Sequence, residues 1–519
     1  MPEQKIRKAL LLLISVSAVI RIFLAWSLEL VNDEVYYWTY ALYPDISHFD
    51  HPPMVGWIIQ LFSLNLHLDS ELFLRFGSVI FGSLNCFVIY QIGKQMKDPQ
   101  TGLYAALLYS ASTYGFFITG VLILPDTPQM LFWMLSLMFF IKACQAETVD
   151  KAAGAHILIA GLFTGLGLLS KYTTGFIWIG VLVYVIAFDR KWLKSTWFYI
   201  AIATSLLIFS PVIYWNAKND FISFSYQGER INFFTSSLRW DYLLTEFTGE
   251  LLYNNPVNFI LLTLSLIALY RNEISINIRY SRLVLLISIP LISAFIAFSL
   301  FRRTLPHWNA PAYSTLLLFA AVYLRDRAGS NKLLPVPIRI AGILLLVMVI
   351  LGWLQVTIGL VGFTNQQKTN PAELGKHDIS LEITGWHQIG RKFPRIIEQE
   401  KEKRKFHDEC ALISYRWFPA ANLDYYIGHP NHLKTLAIGS INEIHKYYWI
   451  NKKRGGFYYG MDGYFITTSY DYADPFKIFE TFFERIEPLD TIKIERSGKH
   501  VMNAFVYRLE NMKRLPVIK

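Results

Sequence analysis

Ala9–Trp38 reads ALLLLISVSAVIRIFLAWSLELVNDEVYYW: an apolar run to Leu30, then the carboxylate pair Asp33-Glu34 and an aromatic stretch. The run is long enough to cross a bilayer, since a spanning helix needs about 20 apolar residues. Lys5, Arg7 and Lys8 precede it, as they would in a signal peptide. Its length, the Arg21 within it and the lack of a small-residue cleavage site before Asn32 argue for a retained first helix.

The rest of the chain supports that reading. Of 519 residues, 53% are hydrophobic and 17% charged, where a soluble domain carries about 25% charge. Apolar runs continue to about residue 361, and we place spans at 9–30, 74–94, 102–119, 127–145, 155–170, 172–188, 196–215, 256–270, 283–300, 309–324 and 338–361. Several are close to the lower limit of roughly 17 residues, so the expectation is about 11–13 transmembrane helices. Met54–Leu66 is apolar but short, which suits a helix lying in the interface.

The formal charge of +10 could suggest nucleic acid as a partner. The cations instead sit in short loops beside the apolar runs, which is a topology signal. With the N-terminus cytoplasmic, Lys94 and Lys97, Lys142 and Lys151, Arg190, Lys191 and Lys194, Arg271, Arg279 and Arg282, and Arg325, Arg327 and Lys332 all fall inside. Eleven spans then put the tail outside. Lys171, Arg302 and Arg303 break the rule, lying at span ends on the outer side. Each alone is a snorkelling side chain; three together suggest an anion site.

The organisation expected is a transmembrane domain over 1–362, with long outer loops 31–73 and 216–255, and a small α+β domain over 363–519. The tail carries 24 basic and 19 acidic residues. A charged helical stretch, Trp386 to Lys405, precedes strand-like segments at Ala411–Trp417, Tyr464–Tyr470 and Ala504–Leu509. Cys86, Cys144 and Cys410 offer no disulfide framework.

Four outer segments can carry chemistry. Asp33-Glu34 with the following Tyr36-Tyr37-Trp38 is either a helix end with an aromatic belt or a general base or metal ligand at the membrane boundary. His48-Phe49-Asp50-His51 could bind a divalent metal, although a loop cluster of this kind signals one weakly; Pro52-Pro53 then fixes the backbone. Asp126, between Pro125 and Thr127-Pro128, either caps the next helix or contributes a third carboxylate. Phe301-Arg302-Arg303-Thr304-Leu305-Pro306-His307-Trp308-Asn309 gathers two Arg, a His and an indole at one boundary, and Arg suits bidentate phosphate contact. One outer face thus offers carboxylates (Asp33, Glu34, Asp50, Asp126) and cations (Lys171 with neighbouring Tyr172, Arg302, Arg303, plus His51 and His307). Transfer from a lipid phosphate would use such a set.

These segments, with the Pro306-His307-Trp308-Asn309-Ala310-Pro311 continuation, resemble the GT-C glycosyltransferases. The branch they look most like is the bacterial aminoarabinose transferases that modify lipid A, with their protein mannosyltransferase relatives. The resemblance runs over most of residues 1–361 and implies an all-α polytopic membrane domain followed by a small soluble α+β domain in the periplasm. It implies a transferase of the bacterial inner membrane that takes sugar from polyprenyl phosphate, usually undecaprenyl phosphate, and passes it to a lipid or glycan acceptor. Carried over, Asp33 is the carboxylate that activates the acceptor, and Asp126 lines the same cavity. Asp50-His51 stands where the aminoarabinose transferases have Glu-Lys before Pro-Pro, so His51 would meet phosphate with pH dependence. Lys171 and Arg302 or Arg303 would neutralise the departing phosphate. The resemblance fixes no cofactor and leaves a divalent metal open, and membrane lipids rather than nucleic acid are the surroundings. Protein O-glycosylation with the same donor is the neighbouring alternative, and a lipid or sugar transporter the alternative from another class.

Overall fold

The computed structural model describes residues 2–231, 237–327, 333–362, 370–403 and 410–516. Lys332 and Lys405, named above, lie outside the described residues. The chain divides into two compact units. One holds Met1–Trp26 and Asp45–Met348, the other Ser27–Pro44 and Val349–Lys519. The cut thus falls at 348/349 rather than at 362/363, and the start of the first long loop belongs with the C-terminal unit.

Among the described residues, seven helices are long and apolar enough to cross a membrane: Glu3–Ser27, Glu71–Met96, Asp126–Gln145, Lys151–Leu168, Thr196–Lys218, Ile278–Ser299 and Val336–Ile358. An eighth span arises if Trp240–Tyr253 and Pro256–Tyr270, bent by 99° at their junction, count as one. The chain is a multi-pass membrane protein. The other apolar runs fall on shorter elements, including Pro99–Ser110 and Phe176–Phe188, or on Ala310–Arg327, which has 18 residues but ends in the charged Arg325-Asp326-Arg327. Met54–Phe62, short as expected, is a nine-residue helix.

Local chemistry fixes the ends of these helices. Asp98 accepts from Thr101 N at 2.8 Å, with Pro99 opening the helix behind it. Asp150 caps Lys151–Leu168 in the same way, accepting from Ala153 N at 2.8 Å. Small residues then allow backbones to meet: a Cβ on Gly161 would lie 2.5 Å from Ala201 O, and one on Gly180 2.4 Å from Leu286 O. Arg21 lies wholly buried inside the first helix. Its Nε and Nη2 donate to Phe116 O and Gly115 O, each at 3.1 Å, in the π-helical turn Tyr114–Ile118. It pairs with backbone rather than with a carboxylate, so the charge is met by carbonyl dipoles freed where the helical ladder is irregular.

The second unit, among its described residues, is built on a five-stranded sheet ordered β2-β1-β3-β5-β4. Its strands are β1 (Ala411–Ser414), β2 (Thr435–Ala437), β3 (Gly463–Thr468), β4 (Phe483–Arg496) and β5 (Lys499–Met512). β1 runs parallel to β2 and β3, while β5 is antiparallel to β3 and β4. The helix Trp386–Lys403 packs on the sheet with Phe393 against Tyr464.

The segment Ser27–Pro44 is an integral part of this unit. Tyr426 Oη accepts from Leu30 N at 2.7 Å, and Lys446 Nζ donates to Thr39 O and Tyr43 O at 2.9 and 2.7 Å. Tyr36 packs on Trp417 and Trp38 on Tyr425, with centroids 4.9 and 5.2 Å apart. The aromatic belt considered for Tyr36–Trp38 is therefore overturned. All three rings are buried, because the folded C-terminal chain supplies a better apolar partner than an interface does.

Candidate functional site

Within the first unit, the helix Ile222–Ile231 and the turn 45–53 are locked together. Trp215 Nε1 donates to Asp45 Oδ2 at 3.0 Å, Ser223 Oγ to His48 O at 2.9 Å, and Gln227 Nε2 to Asp50 O at 2.6 Å. Phe49 packs on Tyr226 with centroids 4.6 Å apart, and Met54 N reaches Leu169 O at 3.1 Å. This bracing holds Asp50 and His51 beside Lys171, as Pro52-Pro53 suggested.

Lys171 Nζ donates to both oxygens of Asp126, at 3.0 and 2.9 Å. Tyr114 Oη adds a longer contact of 3.4 Å. Lys171 is 6% exposed and Asp126 2%. Asp126 opens the helix Asp126–Gln145 without making a side-chain cap. Its carboxylate is committed to Lys171, so it is a partner for a cation rather than a proton acceptor.

The loop 300–309 is gripped from the helix Trp240–Tyr253. Glu246 Oε2 accepts from Thr304 Oγ1 at 2.8 Å; Glu250 accepts from Asn309 Nδ2 at 2.5 Å and from Tyr313 Oη. Gly249 lets Pro306 approach so closely that a Cβ there would meet its Cγ at 2.1 Å. His307 stacks on Tyr253 at 6.1 Å, and Trp308 meets Phe295 at 5.8 Å. The grip presents Arg302 and Arg303 to one cavity and Trp308 to its neighbour, while His307 lines neither.

The outcome is a two-part recess. One part, about 240 Å³, is lined by His51, Lys171, Tyr172, Thr173, Phe176, Gln227, Arg230, Phe295, Phe298 and Trp308. The other, more open at about 500 Å³, is lined by Tyr226, Glu229, Arg230, Arg302 and Arg303. Arg230 lines both, and its guanidinium lies over the Trp308 ring at 4.6 Å and the Tyr226 ring at 5.5 Å. Cations at one end and aromatic walls at the other suit an anionic head on an apolar tail. Arg230, Gln227 and Tyr226 were not singled out from sequence. The i, i+4 pair Tyr226/Arg230 inside an aromatic, charged loop was the available signal.

His51 and His307 are not cations here. Burial, opposed by Asp50 and reinforced by the Lys171 and Arg230 charges, pushes His51 down to about 4. Burial likewise pushes His307 down to about 4, against the pull of Asp126. Both imidazoles are neutral near pH 7, so they can contribute a hydrogen bond but no charge. Among the described residues, no three His, Cys, Asp or Glu side chains are grouped to hold a metal ion, so the His48–His51 turn does not fit the divalent metal weighed from sequence.

Asp33 and Glu34 belong to the other unit and share the first turn of the helix Asn32–Leu42. Glu34 is fully buried and accepts from Val31 N at 3.0 Å, bracing its own helix start. Asp33 is exposed. The pair thus splits into one carboxylate with a local structural task and one that solvent reaches.

Residues 50–215 match the family described as dolichyl-phosphate-mannose-protein mannosyltransferase. The chain is 25% identical over 358 residues to the undecaprenyl phosphate-alpha-4-amino-4-deoxy-L-arabinose arabinosyl transferase of Edwardsiella ictaluri, covering 65% of this chain and 61% of that one. It is 21% identical over 206 residues to the lipid A galacturonosyltransferase RgtD of Rhizobium johnstonii, covering 38% and 42%. Neither match reaches two thirds of the relative's own length. In three dimensions the chain superposes on ArnT from Cupriavidus metallidurans bound to undecaprenyl phosphate, with TM-score 0.62, 15% identity and coverage of 98% and 99%. The apo form of the same protein gives 0.61 with 12% identity, covering 96% of this chain and 97% of that one. The chain thus has the fold of ArnT from Cupriavidus metallidurans over nearly its whole length.

Proposed function

We propose that this protein is a glycosyltransferase of the bacterial inner membrane, taking sugar from a polyprenyl-phosphate donor, undecaprenyl phosphate being the carrier, and passing it to lipid A or another lipid or glycan on the periplasmic side. The observation that carries this reading is the recess in which Arg230, Arg302 and Arg303 adjoin the aromatic walls Phe295, Phe298 and Trp308. The names of the relatives, which describe lipid A and undecaprenyl-phosphate chemistry, support it. The topology that goes with it has a cytoplasmic N-terminus and a periplasmic C-terminal domain.

The reaction follows from the charges. The acceptor oxygen attacks the anomeric carbon and gives its proton to a carboxylate, which we assign to Asp33 on its motif and exposure. The bond from that carbon to the phosphate oxygen breaks, and polyprenyl phosphate leaves with one further negative charge. Arg230, Arg302 and Arg303 stabilise that charge, so the leaving group needs no proton. Lys171, already neutralised by Asp126, can share a hydrogen with the phosphate but adds little net charge. Attack opposite to the leaving group inverts the anomeric centre.

Protein O-glycosylation with the same donor is the second reading, favoured by the protein mannosyltransferase description of the matched family. Purified protein in liposomes, given short-chain polyprenyl-phosphate sugars with either lipid A or peptide acceptors, separates the two. Sugar should appear on the lipid acceptor; transfer to peptide alone would replace the first reading by the second.

A further inference from the structure

A small cleft in the C-terminal unit lies beside the helix that bears Asp33. Asn32, Glu382, Trp386, Tyr415, Phe418 and Tyr470 are among its walls. We propose that this cleft is the subsite for a carbohydrate part of the acceptor: the aromatic side chains take the face of a sugar ring, and one of its hydroxyl-bearing arms enters toward Glu382 and Asn32. The inference rests on the transferase reading above and deepens it, because it makes the acceptor a glycan or glycolipid rather than a peptide.

Three observations carry it. The first is position. Asn32 lines the cleft, and Asp33 follows it in the first turn of the same helix, with adjacent Cα atoms about 3.8 Å apart. A ligand seated against Asn32 therefore touches the helix turn that carries Asp33, whose own side chain points about 100° further round the axis.

The second is chemistry. Four aromatic side chains with a carboxyl, a carboxamide and the Thr467 and Thr468 hydroxyls match a ligand that has apolar C–H faces and many hydroxyls. Asp471 is paired with Arg416 at 2.6 Å, and Glu382 is held by hydrogen bonds from Asn32. A cleft lined by two carboxyls, with no basic side chain among its described walls, does not select a phosphate.

The third is size. The enclosed space is about 30 Å³, room for one or two waters. That admits a single hydroxymethyl or hydroxyl arm and leaves the ring on the rim.

The test is a kinetic split on the full-length protein in nanodiscs. Tyr470→Ala and Phe418→Ala should raise the acceptor KM at least tenfold and leave the donor KM within twofold. Tyr470→Phe, which keeps the ring, should restore the wild-type acceptor KM. An unchanged acceptor KM in both alanine variants, or equal changes in donor and acceptor KM, would overturn the subsite. Saturation-transfer NMR with a phosphate-free glucosamine disaccharide provides a readout independent of turnover. Transfer to the wild type that is lost in Tyr470→Ala supports the subsite, and absence of transfer to the wild type overturns it. Wild-type protein that binds the disaccharide but turns over no donor would keep the subsite and sink the transferase reading instead.

Discussion

Lys171 Nζ stands 3.0 and 2.9 Å from the two oxygens of Asp126, with both side chains almost wholly buried. The residues come from different helical segments 45 positions apart. The pair holds in place Lys171, which lines the recess: a buried charge that loses its partner costs about 3–5 kcal/mol. Lys171→Met should lower stability by about that much, as should Asp126→Leu. The double variant should recover most of the loss, since an apolar pair of similar volume replaces a buried ion pair at little cost. Thermal unfolding of the four proteins in one detergent checks this; additive losses in the double variant would show that the two residues are not coupled.

Arg230 bridges both parts of the recess, and it faces Trp308 as a cation over a ring at 4.6 Å. Arg230→Ala should reduce turnover by about 10²-fold, the usual effect of deleting one charge-stabilising donor. Arg230→Lys should recover only part, because a point charge cannot reproduce a flat bidentate contact stacked on an indole. Release of polyprenyl phosphate under single-turnover conditions measures both.

Glu250 ties the loop carrying Arg302 and Arg303 to the helix Trp240–Tyr253 through Asn309 and Tyr313. Removing the carboxylate strands two buried donors, at about 1–3 kcal/mol each. Glu250→Ala should therefore weaken donor binding and lower the unfolding temperature together. Glu250→Gln, which retains an acceptor for Asn309 and a group for the Tyr313 hydroxyl, should keep donor binding within a few-fold. The donor KM of the two variants decides it; equal KM values would separate the grip from the site.

The two histidines set the pH behaviour. Unfolded, each takes up its proton near 6.5, but folded only near 4. Between those values the unfolded chain holds more protons, so acidification favours unfolding, and the stability they contribute is lost as pH falls from about 6.5 toward 4. The unfolding temperature should drop across that window and less so in His51→Gln plus His307→Gln. Donor KM should stay flat between pH 7.5 and 5.5, because neither imidazole gains charge there; a KM with an apparent pKa near 6.5 would contradict the neutral assignment.

Much of the architecture was legible in the sequence because bilayer burial demands long apolar runs, and the seven longest spans follow directly from them. The strand segments of the tail were legible for a similar reason: β3 and β5 alternate or run apolar over stretches that Tyr464–Tyr470 and Ala504–Leu509 already showed. What could not be read was pairing at a distance. Tyr36, Tyr37 and Trp38 look like a membrane belt until the folded chain near Trp417 and Tyr425 is present to bury them. Lys171 looks like a free cation until Asp126 is placed on it. Glu246 and Glu250 were part of a charged loop, with no local sign that they hold the loop 300–309. Protonation was equally hidden, since His51 and His307 become neutral only through the desolvation that folding creates.

The most direct measurement is release of free polyprenyl phosphate by purified protein in liposomes, comparing wild type, Asp33→Asn and the double variant Arg302→Ala plus Arg303→Ala. Turnover by the wild type with at least one polyprenyl-phosphate sugar is the predicted result, abolished in Asp33→Asn and lowered at least 10²-fold in the double variant. No release from any donor in the presence of lipid A and peptide acceptors, or wild-type release by Asp33→Asn, would contradict the account.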